Sequence, residues 1–503
     1  MIPLGSIPTF YTDRLGNRDA VIHDAEALDW PSLDLAANRF SNAFKAHGVR
    51  QDDVVTLALP NSNESIAAVF GVWKIGATPN MTPFKTPASE MRAVLNVVRP
   101  KLVVCADPLL AAEVGGLGLD FAGGAPDTAV DVQVAKHWKA MPSGGSTGTP
   151  KVIVDHRPAA FDLADPVLGL PLHGMVLNPG PLYHNAPFTV TFKSLIRGCT
   201  LIGMRRFDAE EALRLIDRNR VQFVNFVPTM MHRIWRLPEE VRWAYDLSSL
   251  ERVWHMASPM PPWLKRAWIT WLGPSRIWEL YGGTENTGST VISGDEWLHK
   301  PQSVGRPIGG ARIRAQDENG LPVPAGQIGE LFFMPAGGSR STYHYLGATS
   351  PVDAEGWDSL GDFGWLDEDG YVFLSDRRTD MILSGGANVY PAEIEAALTE
   401  HPHVDGAVVI GLPDADLGAR VHAVVRLAGD ADPNDVLPRL AEWLATRLAR
   451  YKIPRSFEAT AEPLRDDAGK VRRSALRAAR IDGASQDVAP EPAQGGAAGC
   501  QSG

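Results

Sequence analysis

The chain has 503 residues, of which 44% are hydrophobic and 21% charged; this composition is typical of globular proteins, and the length predicts two or three domains. The net charge of −11 at pH 7 argues against a nucleic-acid partner, because a surface that neutralises phosphates must be basic. Three cysteines without a Cys-x-x-Cys pair favour a reducing, cytoplasmic location and indicate no zinc site. We expect no secretory signal and no membrane span, because no apolar run approaches the ~20 residues that cross a bilayer.

The N-terminal part alternates predicted helices and strands. Apolar residues at helical spacing predict a helix over residues 32–47, and a buried-strand pattern covers residues 53–59. Ser62 is placed to cap a helix over residues 64–75, and another strand is predicted over 101–105. This alternation favours an α/β fold with a mostly parallel sheet covered by helices.

A loop rich in glycine and hydroxyl residues follows, with the sequence Ser-Gly-Gly-Ser-Thr-Gly-Thr-Pro-Lys. Glycine lets backbone N–H groups approach phosphate oxygens closely, and a terminal lysine adds positive charge. The sequence therefore predicts a polyphosphate-binding loop formed by Ser143, Gly144, Gly145, Ser146, Thr147, Gly148 and Lys151.

Two other motifs compete for this loop. The P-loop NTPase motif needs lysine directly after glycine, whereas Thr149 and Pro150 separate Gly148 from Lys151. The loop also matches the Gly-x-Ser-x-Gly nucleophile elbow, with Ser146 as the nucleophile. That motif requires a helix directly after the serine, but residues 149–154 are typical of a strand, so we discount it.

The loop resembles the phosphate-binding signature of the adenylate-forming superfamily, which includes acyl-CoA synthetases, luciferases and peptide-synthetase adenylation domains. Further motifs of the family follow in its order. The run Glu-Leu-Tyr-Gly-Gly-Thr-Glu at 279–285 resembles the core motif, and the resemblance implies a nucleotide site formed by Glu279, Tyr281, Gly282 and Gly283. It also implies that Tyr281 stacks on adenine, Thr284 offers a catalytic hydroxyl and Glu285 binds the Mg²⁺ that bridges ATP phosphates.

The segment Pro-Leu-Tyr-His-Asn-Ala-Pro-Phe at 181–188 is predicted to be a turn between a strand and a helix, where functional groups project. The resemblance implies that His184 lines the acyl pocket near the reacting carboxylate, and we expect Phe188 to border the acyl group with it. Amino-acid-activating relatives carry an aspartate here, but this chain has Phe188-Thr189-Val190. This difference argues against an amino-acid substrate.

Two further segments complete the expected nucleotide site. By resemblance, the rigid turn that contains Ala257, Ser258 and Pro259 lies against adenine. Asp362 and Arg377 are expected to contact the ribose, since a carboxylate suits vicinal hydroxyls. Most relatives have threonine and glycine where this chain has Leu360 and Asp376. For the seven tryptophans between residues 235 and 278, we favour core packing over a wide aromatic acid pocket.

The predicted domains are an N-terminal adenylation domain over residues 1–379, which includes a β-rich subdomain, a mobile α+β C-terminal domain over 380–480, and a disordered tail over 481–503. The resemblance implies that Asp380 is the hinge, that Gly385 and Gly386 border the channel for the thiol, and that Lys470 is the catalytic lysine. Low content of large apolar residues predicts the tail.

Together these motifs imply an AMP-forming acid–CoA ligase that uses ATP, Mg²⁺ and CoA. Details of three motifs are similar to ligases for bile acids, steroid side chains and related polycyclic terpenoid acids, although aryl and medium-chain acids stay open. The alternative is a stand-alone enzyme that loads an aryl or fatty acid onto a carrier protein. A degenerate nucleotide-binding regulator is disfavoured by the presence of Lys470 and Glu285, and a light-emitting oxidase and a homodimer also stay open.

Overall fold

The computed structural model describes residues 1–24, 26–143, 150–163, 168–338, 341–350, 352–377, 380–414, 416–429, 431–466 and 469–486. Its α-helices, α1 to α14 in chain order, are Ile7–Leu15, Trp30–Ala46, Asn63–Lys74, Ala88–Val98, Pro108–Val114, Asn185–Ile196, Ala209–Asn219, Pro228–Trp235, Glu239–Arg242, Pro262–Leu272, Gly294–His299, Pro391–Thr399, Pro433–Ala445 and Arg473–Gln486. Short 3₁₀ helices are Leu4–Ser6, Leu119–Ala122, Pro274–Arg276 and Arg450–Lys452.

The strands are given in chain order in two groups. Strands β1 to β14 are Ile2–Pro3, Asp19–His23, Glu26–Asp29, Val54–Ala58, Thr78–Met81, Leu102–Cys105, Leu117–Gly118, Ala140–Pro142, Val152–Asp155, Ala160–Phe161, Met175–Asn178, Thr200–Gly203, Phe223–Phe226 and Arg252–His255. Strands β15 to β27 are Ile277–Gly282, Ser289–Ser293, Ser303–Pro307, Arg312–Gln316, Gly329–Met334, Tyr343–Leu346, Asp358–Leu366, Val372–Arg377, Ile382–Ser384, Ala387–Val389, Val404–Asp414, Gly418–Leu427 and Ser456–Ala459.

Contacts divide the chain into two units. Unit 1 comprises the described residues of 1–379 together with the segment 465–470, and unit 2 comprises those of 380–464 and of 471 onward. None of the helices within the described ranges is both long and apolar enough to cross a membrane.

Unit 1 contains two large sheets. The larger has the strand order β18-β19-β21-β22-β17-β16-β15-β14-β13-β11-β12-β2-β3. In it the run from β15 through β14, β13, β11 and β12 to β2 is parallel. The second sheet has the order β20-β9-β8-β5-β4-β6-β7, with an antiparallel edge formed by β8, β9 and β20. The α/β fold class predicted from the sequence, with a β-rich part in the larger sheet, is therefore confirmed.

The predicted helices of the N-terminal part are present, because capping residues and apolar residues at helical spacing both favour a helix in these segments. Asp29 accepts a hydrogen bond from Ser32 N at the start of α2, and Ser62 does the same for Ser65 N at the start of α3. Residues of α2 spaced at helical intervals, such as Leu33 and Phe44, are fully buried in the core of unit 1.

Unit 2 is an α+β module built around a three-stranded sheet with the order β25-β26-β27. Its core contains Ile394 and Leu398 from α12 and Leu440 from α13. Pro391 occupies the first turn of α12, as the sequence predicts. Helix α14 ends at Gln486, inside the predicted tail of residues 481–503. Residues 487–503 lie outside the described residues, so the disorder of the tail stays a prediction.

Candidate active site

The predicted site segments leave the larger sheet at one edge. Strands β11, β13, β14 and β15 are adjacent and parallel, so their carboxyl ends lie side by side. The segment carrying His184 follows β11, and the turn with Ala257, Ser258 and Pro259 follows β14. Tyr281 and Gly282 end β15. The carboxyl edge of parallel strands is where open α/β sheets bind ligands.

Tyr281 and Asp362, which the sequence assigns to the two halves of adenosine, are joined by a hydrogen bond. The Tyr281 hydroxyl donates to Asp362 Oδ2 over 2.8 Å, although the residues lie on different strands. Asp362 also faces Arg377 across the β21–β22 ladder. The structure thus brings Tyr281 and Asp362 into direct contact and places the backbone of Arg377 opposite Asp362 on the neighbouring strand.

Glu285 carries a buried carboxylate. Its side chain is 9% exposed, its Oε1 accepts from the Tyr345 hydroxyl over 2.7 Å, and no described lysine or arginine forms a salt bridge with it. A buried carboxylate without a cationic partner is costly. Such a group fits a cation ligand, and hard cations such as Mg²⁺ prefer carboxylate oxygens.

Gly283 leaves the room that the Glu285 carboxylate needs. A β-carbon added at Gly283 would lie 2.5 Å from Glu285 Oε2 and 2.7 Å from a methyl group of Leu360, and one at Gly282 would lie 2.6 Å from Ser289 Oγ. The space beside Gly283 therefore belongs to the carboxylate rather than to the acid pocket in which we expected it. Thr284 lies half-buried in the same turn.

The predicted phosphate loop connects the hairpin β8–β9. Met141 pairs with Ile153 in this hairpin, and Ser143 N donates to the Lys151 carbonyl over 3.0 Å where the loop begins and ends. Ser143 Oγ is buried without a hydrogen-bond partner among the described residues. Gly144, Gly145, Ser146, Thr147 and Gly148 lie outside the described residues.

Strand β9 after the loop agrees with the prediction and disfavours the nucleophile elbow, which needs a helix there. Lys151 Nζ lies 4.7 Å from the centroid of the Tyr345 ring, within cation–π range. Tyr345 is thus a site residue that the sequence reasoning missed. Its only local signal is the strand-like Tyr-His-Tyr pattern, and the pairing of β20 with β9 is what brings it to the loop.

Glu279, which the sequence assigns to the nucleotide site, has a paired side chain. The residue is 7% exposed, and its carboxylate accepts a hydrogen bond from the buried Lys265 ammonium. His255 Nε2 lies 3.8 Å from the same oxygen. Burial alone would raise the pKa of Glu279, but Lys265 and His255 hold it below its usual value. The carboxylate thus stabilises neighbouring elements, and no local motif could show that Lys265 on α10 is its partner.

His184 lies at the residue that precedes α6, as predicted from the strand-to-helix turn. Its ring is half-buried, with its centroid 4.7 Å from that of Tyr183. The expectation for Phe188 was wrong: its side chain is 0% exposed and packs against Trp73, Trp138 and Phe192. The helical repeat of α6 directs Phe188 into the core and leaves His184 at the helix start.

Lys139 is a second residue that the sequence reasoning missed. Its buried ammonium donates to Asn185 and, over 3.1 Å, to Thr189 Oγ1, both on α6. Burial lowers the pKa of Lys139 to about 7, and no carboxylate in the described ranges forms a salt bridge with it. The residue immediately precedes β8 and thus links α6 to the base of the phosphate loop.

The turn after β14 has a strained backbone. Ala257 has a φ of 79°, a left-handed conformation that a β-carbon disfavours. The segment 465–470, which unit 1 includes, approaches this turn, because a β-carbon on Gly469 would lie 3.2 Å from Ser258 Oγ. Lys470 N donates to Asp466 Oδ1 over 2.8 Å and closes a short turn. Strain at a turn of this kind often marks a functional site.

Gly385 and Gly386 lie in unit 2. They form the turn of the hairpin β23–β24, with φ values of 56° and 80°, and such values require glycine in a tight turn. Within the described ranges, no cluster of three His, Cys, Asp or Glu residues could hold a metal ion. A metal at Glu285 would therefore need further ligands from a bound molecule, such as phosphate oxygens.

Comparisons with known proteins agree with this arrangement. A family model described as "AMP-binding enzyme" matches residues 11–340, and one described as "AMP-binding enzyme C-terminal domain" matches residues 393–470. A feruloyl-CoA synthase from Amycolatopsis sp. is 30% identical over 94% of this chain and 98% of its own length. A long-chain-fatty-acid–CoA ligase of Mycobacterium tuberculosis is 28% identical, with coverages of 90% and 92%.

Among solved structures, the o-succinylbenzoate CoA synthetase of Bacillus subtilis, in complex with its acyl-adenylate intermediate, superimposes with a TM-score of 0.79. It is 24% identical, and the match covers 94% of this chain and 98% of that one; this likeness concerns the fold. The first family model alone spans well over half of the chain. The chain therefore belongs to the AMP-binding enzyme family, the adenylate-forming superfamily that its motifs resemble.

Proposed function

We propose that the protein is an AMP-forming acid–CoA ligase that activates a hydrophobic, polycyclic carboxylic acid of steroid- or diterpenoid-like structure. One observation supports the reaction class. Tyr281 at the end of β15 is hydrogen-bonded to Asp362 on β21, and Glu285 lies in the turn directly after β15. Relatives that match nearly the whole chain include CoA ligases, which supports CoA as the acceptor. A fatty acid–acyl-carrier-protein ligase matches over a similar length and supports a carrier protein as the alternative.

Each polar group has a role in holding ATP. Tyr281 and Asp362 would bind the adenosine, while Ser143 Oγ, which lacks a partner among the described residues, and Lys151 would bind phosphate oxygens. Glu285 would hold Mg²⁺, which would neutralise negative charge on the ATP phosphates. The buried, unpaired carboxylate and the space beside Gly283 fit this assignment.

The first step joins the acid to AMP. A carboxylate oxygen of the substrate attacks the α-phosphorus, the bond to the β-phosphate oxygen breaks, and pyrophosphate leaves. Negative charge builds on the phosphorus-bound oxygens, and Lys470 would stabilise it from the segment that approaches Ser258. In the second step a thiol attacks the acyl carbon, AMP leaves with the bonding electrons, and the thiol proton passes to solvent.

The acid is assigned by two arguments. The details of the phosphate loop, of the turn at 255–259 and of the motif at 279–283 resemble those of ligases for polycyclic terpenoid acids. The buried Lys139 bonds to Thr189 at the place where amino-acid-activating relatives carry an aspartate. Lys139 and Thr189 offer no carboxylate to pair with an α-ammonium, which favours an acid without an amino group.

A panel of acids tests this proposal. Pyrophosphate release and acyl-CoA formation would be measured with a bile acid, a diterpenoid resin acid, ferulate, a long-chain fatty acid and 2-succinylbenzoate, each with and without CoA. We expect the highest kcat/KM with a polycyclic acid and turnover only with CoA. A preference for another acid overturns the substrate, and adenylate that accumulates despite CoA overturns the acceptor in favour of a carrier protein.

The division between the two steps can be tested at Lys470. Lys470→Ala should slow adenylation on the order of 10²–10³-fold, because one preorganised positive charge is lost. The same variant should still convert supplied acyl-AMP to acyl-CoA. Single-turnover assays of both half-reactions measure this, and equal loss in both would show that Lys470 does not serve the first step alone.

A further inference from the structure

Tyr345 lies between two groups that the proposed function uses. It belongs to β20, which pairs with β9 directly after the phosphate loop. Its hydroxyl donates to Glu285 Oε1 over 2.7 Å, and its ring faces Lys151 Nζ at 4.7 Å from the centroid. One side chain therefore contacts both the expected metal ligand and the cation at the end of the phosphate loop.

One segment of the chain holds Glu285 at two points. The Tyr345 hydroxyl directs its proton at the carboxylate. The neighbouring Thr342 Oγ1 donates to the Glu285 carbonyl over 2.7 Å, so the same segment restrains the backbone and the side chain of Glu285.

The restraint also decides which oxygen is available. Oε1 is occupied by Tyr345, and Oε2 points toward Gly283, where a β-carbon would lie only 2.5 Å away. The carboxylate is thus fixed at one oxygen, and the second oxygen lies where the chain has no side chain. A ligand held in one orientation loses less freedom when it binds a cation.

We propose that Tyr345 is a positioning residue that orients Glu285 for Mg²⁺ through its hydroxyl and holds Lys151 at the phosphate loop through its ring. This inference rests on the proposed function, in which Glu285 binds the metal. It goes beyond that function by assigning a positioning role to a residue of the edge strand β20. It also links the expected metal ligand, Glu285, to Lys151 at the end of the phosphate loop.

Two substitutions separate the two contacts. Tyr345→Phe removes the hydroxyl and keeps the ring, whereas Tyr345→Leu removes both. Binding of a non-hydrolysable ATP analogue would be measured by calorimetry across a Mg²⁺ titration, together with adenylation rates. We expect Tyr345→Phe to raise the Mg²⁺ concentration for half-maximal binding about tenfold or more, as is usual for partners of metal ligands, with little change in metal-free binding. Tyr345→Leu should weaken metal-free binding as well.

Tyr343→Phe is the matched control, because it removes a hydroxyl from the same strand. That hydroxyl bonds to Ser350 Oγ over 2.6 Å and also interacts with the Tyr345 hydroxyl, but it forms no hydrogen bond with Glu285 among the described contacts, so the variant removes a neighbouring hydroxyl and keeps the tested bond. It should lower thermal stability without shifting the Mg²⁺ titration. An unshifted titration in Tyr345→Phe, with only lower stability, would overturn the proposal and leave Tyr345 a structural residue.

A double-variant cycle with Glu285→Gln completes the test. If Tyr345 acts through Glu285, Tyr345→Phe should have little further effect on Mg²⁺ dependence in the Glu285→Gln background. Full additivity would overturn the inference. If Glu285→Gln itself leaves Mg²⁺ dependence unchanged while acid-dependent AMP formation persists, the metal assignment and this inference fail together but the ligase reaction stands.

Discussion

Glu279 and Glu285 lie on one continuous segment, β15 and the turn after it, and both carboxylates are buried. Their surroundings differ in kind. Glu279 is paired with Lys265 and lies near His255, whereas the carboxylate of Glu285 accepts only from the Tyr345 hydroxyl among the described side chains. The charge of Glu279 is balanced within the protein, whereas we propose that Mg²⁺ balances the charge of Glu285.

Two buried lysines repeat this contrast. Lys265 donates to a carboxylate, while the partners of Lys139 within the described part of the chain are the neutral Asn185 and Thr189. Burial lowers the pKa of both lysines. The ion pair of Lys265 and Glu279 supports the sheet. Lys139 and Glu285 have hydrogen bonds but no salt bridge among the described residues, and they contact the segments that we assign to catalysis.

The largest effect is expected when the ion pair of Lys265 and Glu279 is broken. Lys265→Met leaves the Glu279 carboxylate buried without a counter-charge and should lower the free energy of unfolding by about 3–5 kcal/mol at pH 7. Urea denaturation measures this. The double variant Lys265→Met with Glu279→Met should recover most of the loss, because no charge is then left unpaired.

The stability loss of Lys265→Met should depend on pH. Because the folded pKa of Glu279 is lowered, its contribution to stability is present above the ordinary carboxyl pKa and is lost as the pH falls through the folded pKa. The difference between wild type and Lys265→Met should therefore narrow in acid. A double variant as unstable as the single one would show that packing, not charge, dominates.

Glu285→Gln should give the opposite pattern, with a small effect on stability and a large one on function. An amide is a poorer ligand for a hard cation, so adenylation should fall on the order of 10²-fold and need more Mg²⁺. The free energy of unfolding of the ligand-free protein should change by less than about 1 kcal/mol, since glutamine still accepts from Tyr345. A loss of stability equal to that of Lys265→Met would remove the distinction between the two glutamates.

Lys139→Met should stabilise the protein in a pH-dependent way. The pKa of Lys139 is about 7 in the folded protein against 10.5 ordinarily, so between these values the unfolded chain binds more protons and stability rises with pH. The cost of the buried charge is therefore full below about pH 7. Removing the buried ammonium should raise the free energy of unfolding on the order of 2 kcal/mol at pH 6. The loss of the hydrogen bonds to Asn185 and Thr189 offsets part of this gain.

The gain at Lys139→Met should fade toward pH 10, where wild-type Lys139 is already neutral in the folded state. Thermal unfolding of both proteins across this range measures it. If the difference in stability between wild type and Lys139→Met does not change with pH, Lys139 does not titrate as a destabilising buried charge. The contrast with Lys265 would then fail.

The smallest effect concerns the turn after β14. Ala257→Gly removes a β-carbon from a left-handed residue, a strain of about 1–2 kcal/mol, but adds backbone entropy to the unfolded chain. The net gain should be about 0.5 kcal/mol. Ala112→Gly, an exposed alanine inside α5, is the control and should cost about 1 kcal/mol. If both substitutions destabilise equally, the turn carries no strain.

The sequence by itself determined the secondary-structure pattern, the α/β class and the family. Helix caps such as Ser62, buried-strand runs and the Gly-rich loop are local signals, since capping and turn formation depend on neighbours a few residues away. Motif order likewise identified the segments that carry Tyr281, Asp362 and Glu285. These residue types stand next to glycines and turns, which is why the sequence could indicate them.

Only the tertiary structure decided which polar side chains are satisfied. Glu279 and Glu285 look equivalent in a motif, but Lys265 comes to the first from α10 and Tyr345 to the second from β20. Phe188 likewise became core because α6 packs on Trp73 and Trp138. Burial and ion pairing depend on residues far apart in the chain, and the energy of a charge depends on that environment more than on its local sequence.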